Sequence, residues 1–139
     1  MRRSLWLALA AVTPLGFATK LYRGPGATWV ANYGGGVVYE IFWILLVLAI
    51  APRWPASRVA IGVLLVTCGL EGLQLWHPPA LEAVRSTGLG RALVGSTFSW
   101  WDFPHYAAGC ALGVALVRLL AGREKGVETP APTREAPSL

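Results

Sequence analysis

Four apolar stretches divide the chain, and each is long enough to cross a bilayer as a helix. They are residues Leu5–Tyr22, Gly34–Ala51, Val59–Trp76 and Phe103–Ala121. A membrane-spanning helix needs about 20 predominantly apolar residues, and about 17 are sufficient. The pattern therefore predicts an all-α, polytopic membrane protein, with a four-transmembrane-helix bundle as a single domain over residues 1–121.

The first apolar stretch has two interpretations. Arg2 and Arg3 precede it, and a basic start followed by an apolar run is also typical of a secretory signal peptide. However, Phe17-Ala18-Thr19 lacks the spaced pair of small residues at which such a peptide is cleaved. We therefore expect a retained helix, with a cleaved signal peptide as the alternative.

The connections differ in length. Residues 23–33 are Gly-rich and polar and predict a loop, whereas residues 77–101 form the only long connection. The long connection opens with His77-Pro78-Pro79, which interrupts a helix, and a short amphipathic helix is predicted over Ala80–Ser86. Glycines then flank the apolar Ala92-Leu93-Val94. Because bare loop backbone cannot face lipid, we predict a short interfacial or re-entrant segment between the third and fourth spans.

Composition supports a membrane protein. Hydrophobic residues make up 55% of the chain and charged residues only 14%, whereas a soluble domain carries about 25% charged residues. Seven tryptophans are present, a residue that favours the membrane interface. The net charge is +5, but the basic residues flank the apolar stretches, which indicates membrane edges and argues against nucleic-acid binding.

The distribution of Lys and Arg predicts the orientation. With the N-terminus in the cytoplasm, the cytoplasmic side carries eight of them: Arg2, Arg3, Arg53, Arg58, Arg118, Arg123, Lys125 and Arg134. The outer side carries four: Lys20, Arg23, Arg85 and Arg91. We therefore expect a multi-pass membrane protein with both termini in the cytoplasm. Residues 122–139, rich in Pro and charge, are predicted to form a disordered cytoplasmic tail.

Polar side chains interrupt the spans at one end of the bundle. Glu40 lies near the start of the second span, Glu71 and Gln74 near the end of the third, and Asp102 and Tyr106 at the start of the fourth. Because consecutive spans run in opposite directions, all five belong to the same membrane face. Ionisable groups inside a span are costly and usually functional.

The long connection brings basic residues to the same face. Arg85, Arg91 and Ser96 lie in it, and together with the five span residues they form the predicted binding pocket. We expect an ion pair between Glu71 and either Arg85 or Arg91, since a buried carboxylate needs a partner. Which of the two arginines pairs with Glu71 stays open.

Simpler structural roles compete at several of these positions. Ser99-Trp100-Trp101-Asp102 fits a helix capping box, which alone could explain Asp102, and Glu71 could serve only to hold the connection in place. His105 is interpreted as an interfacial polar residue, because no second His or Cys is suitably spaced; no metal and no cofactor are expected. Gly109 and Gly113 have the small-xxx-small spacing that packs helices together, within the chain or against a partner.

Two motifs resemble a known family. Glu71-Gly72-Leu73-Gln74 is followed by Arg85 and Arg91, and then by Gly95-Ser96-Thr97-Phe98-Ser99-Trp100-Trp101-Asp102-Phe103-Pro104-His105-Tyr106-Ala107-Ala108-Gly109. Over roughly Leu5 to Ala121 the chain resembles the bacterial membrane family called domain of unknown function 2809 (DUF2809). That family is similar in layout to the VanZ-like proteins, which are linked to teicoplanin resistance at the cell envelope. The resemblance implies a location and an architecture, but no activity.

Three functions are compatible with these residues. The first is a binding or accessory role at the cell envelope, in which the outer pocket recognises an anionic lipid head or a cell-wall precursor through Arg85, Arg91 and Tyr106. The second is a membrane-embedded enzyme or transporter that uses Glu71 and Asp102 as acid, base or proton relay. The third is a structural subunit of a membrane complex. Because no nucleophile or metal set is recognisable, the first is favoured and catalysis stays an open question.

Overall fold

Six helices make up the described part of the chain. The structure, a computed structural model, describes residues 1–95 and 97–127, and it contains no strand within them. The helices are α1 (Arg2–Leu21), α2 (Ala27–Ile50), α3 (Ala56–Leu73), α4 (Pro79–Arg85), α5 (Gly88–Val94) and α6 (Asp102–Val127). Helices α1, α2, α3 and α6 are long and apolar enough to cross a membrane. The predicted all-α fold with four such helices is therefore confirmed, and α4 and α5 form the short segment between the last two.

Helix α2 begins earlier than the sequence pattern predicts. It starts at Ala27, includes a π-helical turn over Val30–Gly34, and continues as α-helix from Gly35. The predicted loop over residues 23–33 is thus wrong from Ala27 onward. The added turns make tertiary contacts, because Lys20 donates to the carbonyl of Ala31 and the ring of Tyr33 stacks on that of His105. Further along α2, a side chain at Gly36 would lie 3.1 Å from the ring of Tyr106, so glycine there allows the close approach of α6.

Helix α6 continues beyond the predicted span. It extends to Val127 and so includes residues 122–127, which their composition assigns to the tail. Contacts with the start of the chain stabilise this extension, since Glu124 accepts a hydrogen bond from Ser4 and forms an ion pair with the amino group of Met1. Residues 128–139, the rest of the predicted tail, lie outside the described residues.

Helix α2 occupies the centre of the bundle. It packs against α1, α3 and α6, and α6 packs in addition against α3. The apolar core fills the half of the bundle near the chain termini and includes the fully buried Leu5 of α1 and Ile44 and Leu45 of α2. Val59 of α3 and Val117 of α6 complete it from the other side. The polar side chains of the interior are consequently confined to the opposite half, beside α4 and α5.

Gly109 and Gly113 lie at the crossing of α6 and α2. A methyl group on Gly109 would lie 2.7 Å from the carbonyl oxygen of Val37, and one on Gly113 would lie 2.8 Å from the terminal methyl of Ile44. The prediction that both glycines face another helix is confirmed, and that helix belongs to the same chain. Their lack of side chains allows the two backbones to approach closely.

Candidate functional site

A polar cleft opens at the end of the bundle opposite the apolar core. It lies between α2, α3 and α6, is flanked by α5, and has a volume of about 870 Å³. Its polar lining consists of Lys20, Asn32, Tyr33, Tyr39, Thr67, Glu71, Gln74, Thr97, Ser99, Arg91, Asp102 and Tyr106. The antiparallel arrangement of the helices therefore brings polar residues from distant parts of the sequence to one place.

Glu71 is the centre of the hydrogen bonding in this cleft, and only 1% of it is exposed. Its carboxylate accepts hydrogen bonds from the backbone N–H of Ser99 (2.7 Å), the hydroxyl of Tyr106 (3.0 Å) and the side-chain amide of Gln74 (3.1 Å). One side chain thus joins α3, the segment that leads into α6, and α6 itself. The spacing of Glu71 and Gln74 places both on one face of α3, as the sequence indicates.

Asp102 lies beside Glu71 at the start of α6. Glu71, Lys20 and His105 are all within electrostatic range of Asp102. The reciprocal bond of the predicted capping box is not formed, because the backbone N–H of Ser99 is donated to Glu71. Asp102 does lie in the first turn of α6, at the positive end of that helix. Two adjacent carboxyl groups cannot both be ionised without a compensating cation or a shared proton.

The predicted ion pair between Glu71 and an arginine is wrong. Within the described residues, neither Arg85 nor Arg91 forms a salt bridge with Glu71. Arg85 is buried, with 5% of its surface exposed, but it does not line the cleft. Its guanidinium donates to the carbonyl groups of Leu73 and Trp76, both at 2.9 Å. The last carbonyl groups of a helix have no partner within the helix and are strong acceptors. They bind the guanidinium of Arg85, which was predicted to bind Glu71.

Glu82 completes the binding of Arg85. Its carboxylate accepts a hydrogen bond from Arg85 at 2.7 Å and lies 2.9 Å from Nδ1 of His77. The hydrogen bond from Arg85 lowers the pKa of Glu82 below its usual value, and the bond with His77 acts in the same direction. The hydrogen bonds of Arg85 connect α4 to the end of α3, so Arg85 has a structural role and does not line the cleft.

Arg91 is the arginine that does line the cleft. It lies on α5, and its Nε donates to the carbonyl of Arg85 at a long 3.4 Å. Within the described residues it forms no salt bridge, so its charge faces the cleft and solvent. The second cation of the lining, Lys20 of α1, donates to the carbonyl of Ala31.

Glu40 lies beneath the cleft and not in its lining. It is fully buried between α2 and α6, where it accepts a hydrogen bond from the thiol of Cys110 at 3.1 Å, and Thr67 is its neighbour on α3. Its expected place in the pocket is therefore corrected to a deeper position, because its helical turn faces the α2–α6 crossing. Ser96, the remaining predicted pocket residue, lies outside the described residues.

Several residues of the cleft have no evident signal in the sequence. The backbone N–H of Ser99 is invisible to any side-chain pattern, and Tyr39 contributes by donating to the carbonyl of Leu93 at 3.1 Å. His105 stacks on Tyr33 with ring centres 4.6 Å apart, at a site reached only because α2 begins early. The glycines at positions 35 and 36 are a sequence signal for close packing in this region, since an added methyl group would lie 3.3 Å from Thr19 and 3.1 Å from Tyr106, respectively.

The described residues offer no evident metal site. No group of three or more His, Cys, Asp or Glu side chains among residues 1–95 and 97–127 is arranged to hold a metal ion. The polar side chains of the cleft offer hydrogen bonds, charge and a neighbouring pair of carboxyl groups.

Comparison with known proteins gives one match. The model of the family described as "Protein of unknown function (DUF2809)" matches residues 26–110, more than half of the chain. This region holds α2 to α5 and the start of α6, and so nearly the whole lining of the cleft. No curated protein and no solved structure matches. The chain belongs to the DUF2809 family.

Proposed function

We propose that this protein binds the polar head of an amphiphilic molecule in the cleft while the apolar part of that molecule stays in the bilayer. The observation that carries the proposal is the cleft itself. Ionisable side chains line it, and it lies at one end of four helices that are long and apolar enough to cross a membrane. A head group of lipid or of a cell-wall precursor has the size and chemistry for such a site.

Exposed tryptophans near the cleft support a position at the membrane interface. Trp29, Trp76, Trp100 and Trp101 belong to the end of the bundle where the cleft opens, and each exposes more than half of its surface. Tryptophan concentrates at the level of lipid head groups. A cleft at this depth meets the heads of lipids and the apolar chains next to them.

The cations of the cleft would hold the anionic part of the head. Arg91 presents a planar fork of N–H donors suited to phosphate or carboxylate, and Lys20 adds a second positive charge. Arg85 is excluded from this role by its bonds to the end of α3. The binding role expected for the two arginines is thus assigned to Arg91 alone.

Replacing Arg91 by alanine tests this function. We expect R91A to weaken binding of dihexanoyl phosphatidic acid by about tenfold, since a lost charged hydrogen bond corresponds to about 1.5–3 kcal/mol, discounted here for partial exposure. Isothermal titration with the detergent-purified protein measures the effect. R58A, a substitution at the exposed start of α3 in the opposite half of the bundle, is the control. Equal affinity of R91A and R58A would contradict the assignment.

The orientation of the chain is the second part of the proposal. From the excess of Lys and Arg on one side, we infer that the cleft faces away from the cytoplasm of a bacterial inner membrane and that both termini lie in the cytoplasm. Fusions of alkaline phosphatase, which is active only outside the cytoplasm, are expected to be active after Ser86 and inactive after Val127. The reverse pattern would show that the cleft opens to the cytoplasm.

An enzyme or transporter function is the second candidate, and the proximity of Glu71 to Asp102 favours it. Two neighbouring carboxyl groups can exchange a proton, as acid–base catalysis or proton transfer requires. The two candidates differ in the residue on which function depends. Binding depends most on Arg91, whereas catalysis or transport would be lost in D102N even when Arg91 and the fold are intact.

A further inference from the structure

We infer that the head group bound in the cleft carries a protonated amine next to its anionic group, and that the amine binds at Gln74 and the Glu71–Asp102 carboxyl pair. This inference rests on the proposed function and specifies the ligand class for the same cleft. It follows from three features of the cleft. Among the described residues, a buried side-chain oxygen has no hydrogen-bond donor, two neighbouring carboxyl groups have no salt bridge, and an arginine lies on a separate helix.

The unpaired acceptor is the side-chain oxygen of Gln74. The residue is 7% exposed, lines the cleft, and donates through its nitrogen to Glu71 (3.1 Å) and to the carbonyl of Val94 (3.4 Å). These two acceptors fix which end of the amide is the donor. The oxygen Oε1 is then buried with no hydrogen-bond partner in the described residues. Buried acceptors are nearly always paired, so this oxygen indicates a donor supplied by a ligand.

In the described part of the chain the carboxyl pair has no salt bridge, and Lys20 and His105 are the basic groups within electrostatic range of Asp102. Glu71 receives its hydrogen bonds from neutral groups, the N–H of Ser99, the hydroxyl of Tyr106 and the amide of Gln74. Within residues 1–95 and 97–127 no basic side chain forms a salt bridge with Glu71 or Asp102. The negative charge and the free acceptor therefore lie together on one side of the cleft.

An alkylammonium group has the complementary chemistry. It carries one positive charge and three N–H donors, and it has no acceptor. One donor can reach Oε1 of Gln74 and the others the carboxyl pair, while the rings of Tyr33 and Tyr106 in the same lining offer further favourable contact for a cation. A neutral or purely anionic head would leave both the acceptor and the carboxyl pair without partners.

Arg91 supplies the complementary charge for the anionic part of the head. It belongs to α5, whereas Glu71 belongs to α3 and Asp102 to α6. A head that carries an anionic group and an ammonium group joined by a short linker satisfies both the arginine and the carboxyl pair. Phosphoethanolamine is the simplest head with this chemistry, and it occurs at the end of a lipid or as a free small molecule.

Two matched ligands test the inference. Dihexanoyl phosphatidylethanolamine and its N-acetyl derivative share the phosphate and the chains and differ in the charge on nitrogen. We expect the amine form to bind the detergent-purified full chain roughly tenfold more tightly, the effect of one charged hydrogen bond. Free phosphoethanolamine, as a third ligand, separates the two sources, since comparable affinity without chains would indicate a soluble ligand.

Two substitutions locate the effect. D102N removes a charge from the pair, and Q74M removes the free acceptor together with the amide that donates to Glu71 and Val94. Both are expected to abolish the preference for the amine, measured as the ratio of the two affinities within each variant. Thermal unfolding confirms that each variant is folded, and either variant alone is sufficient for the comparison. R91A is expected to weaken both lipids equally and to keep the preference.

The outcomes separate the inference from the proposed function. Equal binding of the two lipids to the unaltered protein would overturn the amine site and leave head-group binding intact. Retention of the preference in folded D102N and Q74M would place the amine elsewhere and also overturn the inference. Failure of every ligand to bind would overturn the proposed function together with it.

Discussion

Replacing Gly109 by alanine is expected to destabilise the bundle by about 3 kcal/mol, at the upper end of what overpacking of a well-packed interior costs. The added methyl group would lie 2.7 Å from the carbonyl oxygen of Val37 and 2.8 Å from the Cβ of Glu40, distances that real side chains essentially never show. Both atoms belong to or lie next to the backbone of α2 and cannot rotate away. Helices α2 and α6 must therefore separate, and the buried carboxyl of Glu40 loses its close contact with Cys110.

Substitutions at two other glycines serve as comparisons for the destabilisation expected in G109A. G113A is expected to cost less, because the nearest atom is the end of the Ile44 side chain, which can shift. G62A is expected to be neutral or stabilising, since a methyl group there would meet no atom within 4 Å and alanine is favoured over glycine in a helix by roughly 0.5–1 kcal/mol. Thermal unfolding in one detergent ranks the three variants. A melting temperature of G109A equal to that of G62A would show that α2 and α6 do not cross at this glycine.

Replacing Glu71 by methionine is expected to destabilise the protein by about 3 kcal/mol and to loosen the segment before α6. The change keeps the volume of the side chain and removes the acceptor for Ser99, Tyr106 and Gln74. Each buried donor without a partner costs about 1–3 kcal/mol, and some of the three will find new partners. The backbone N–H of Ser99 becomes free, so its hydrogen exchange should accelerate more than that of the α3 core.

Two variants control for the general effect of losing a carboxylate. E71Q keeps one acceptor oxygen and is expected to lie between E71M and the unaltered protein. E82Q removes a half-exposed carboxylate whose hydrogen bonds go to His77 and Arg85, and little change is expected at Ser99. Protection of Ser99 in E71M as strong as in E82Q would contradict the central position of Glu71.

The spans and the polar face were predictable because both depend on local spacing. Eighteen apolar residues suffice to identify a crossing helix, and the separation of Glu71 from Gln74 and of Asp102 from Tyr106 places each pair on one side of its helix. Alternating helix direction then brings the pairs together without further information. Glu71, Gln74, Asp102 and Tyr106 line the cleft for this reason, and Arg91 does so because the connection between the last two spans ends at the same face.

The partners of these residues were not predictable, because they depend on competition in three dimensions. Arg85 could bind either the carboxylate of Glu71 or the unpaired carbonyl groups at the end of α3. The sequence does not show that the carbonyls of Leu73 and Trp76 lie within hydrogen-bond distance of Arg85. Glu71 is held by a backbone N–H that every residue except proline carries. Similarly, the early turns of α2 contact Lys20 and His105, residues of other helices, and a local pattern does not show such contacts.

The separation of the interior into a polar and an apolar half has a consequence for the membrane voltage. The cleft reaches Thr67, about two helical turns inward from Gln74, or roughly 10 Å at 1.5 Å per residue. Water in such a cleft carries the potential of the solution on that side inward, so the voltage falls mainly across the layer formed by Leu5, Ile44, Leu45 and Val117. A full elementary charge crossing 100 mV changes its energy by about 2.3 kcal/mol. A charged head entering the cleft crosses only a small part of that voltage, so its affinity should be nearly independent of whether the membrane is energised.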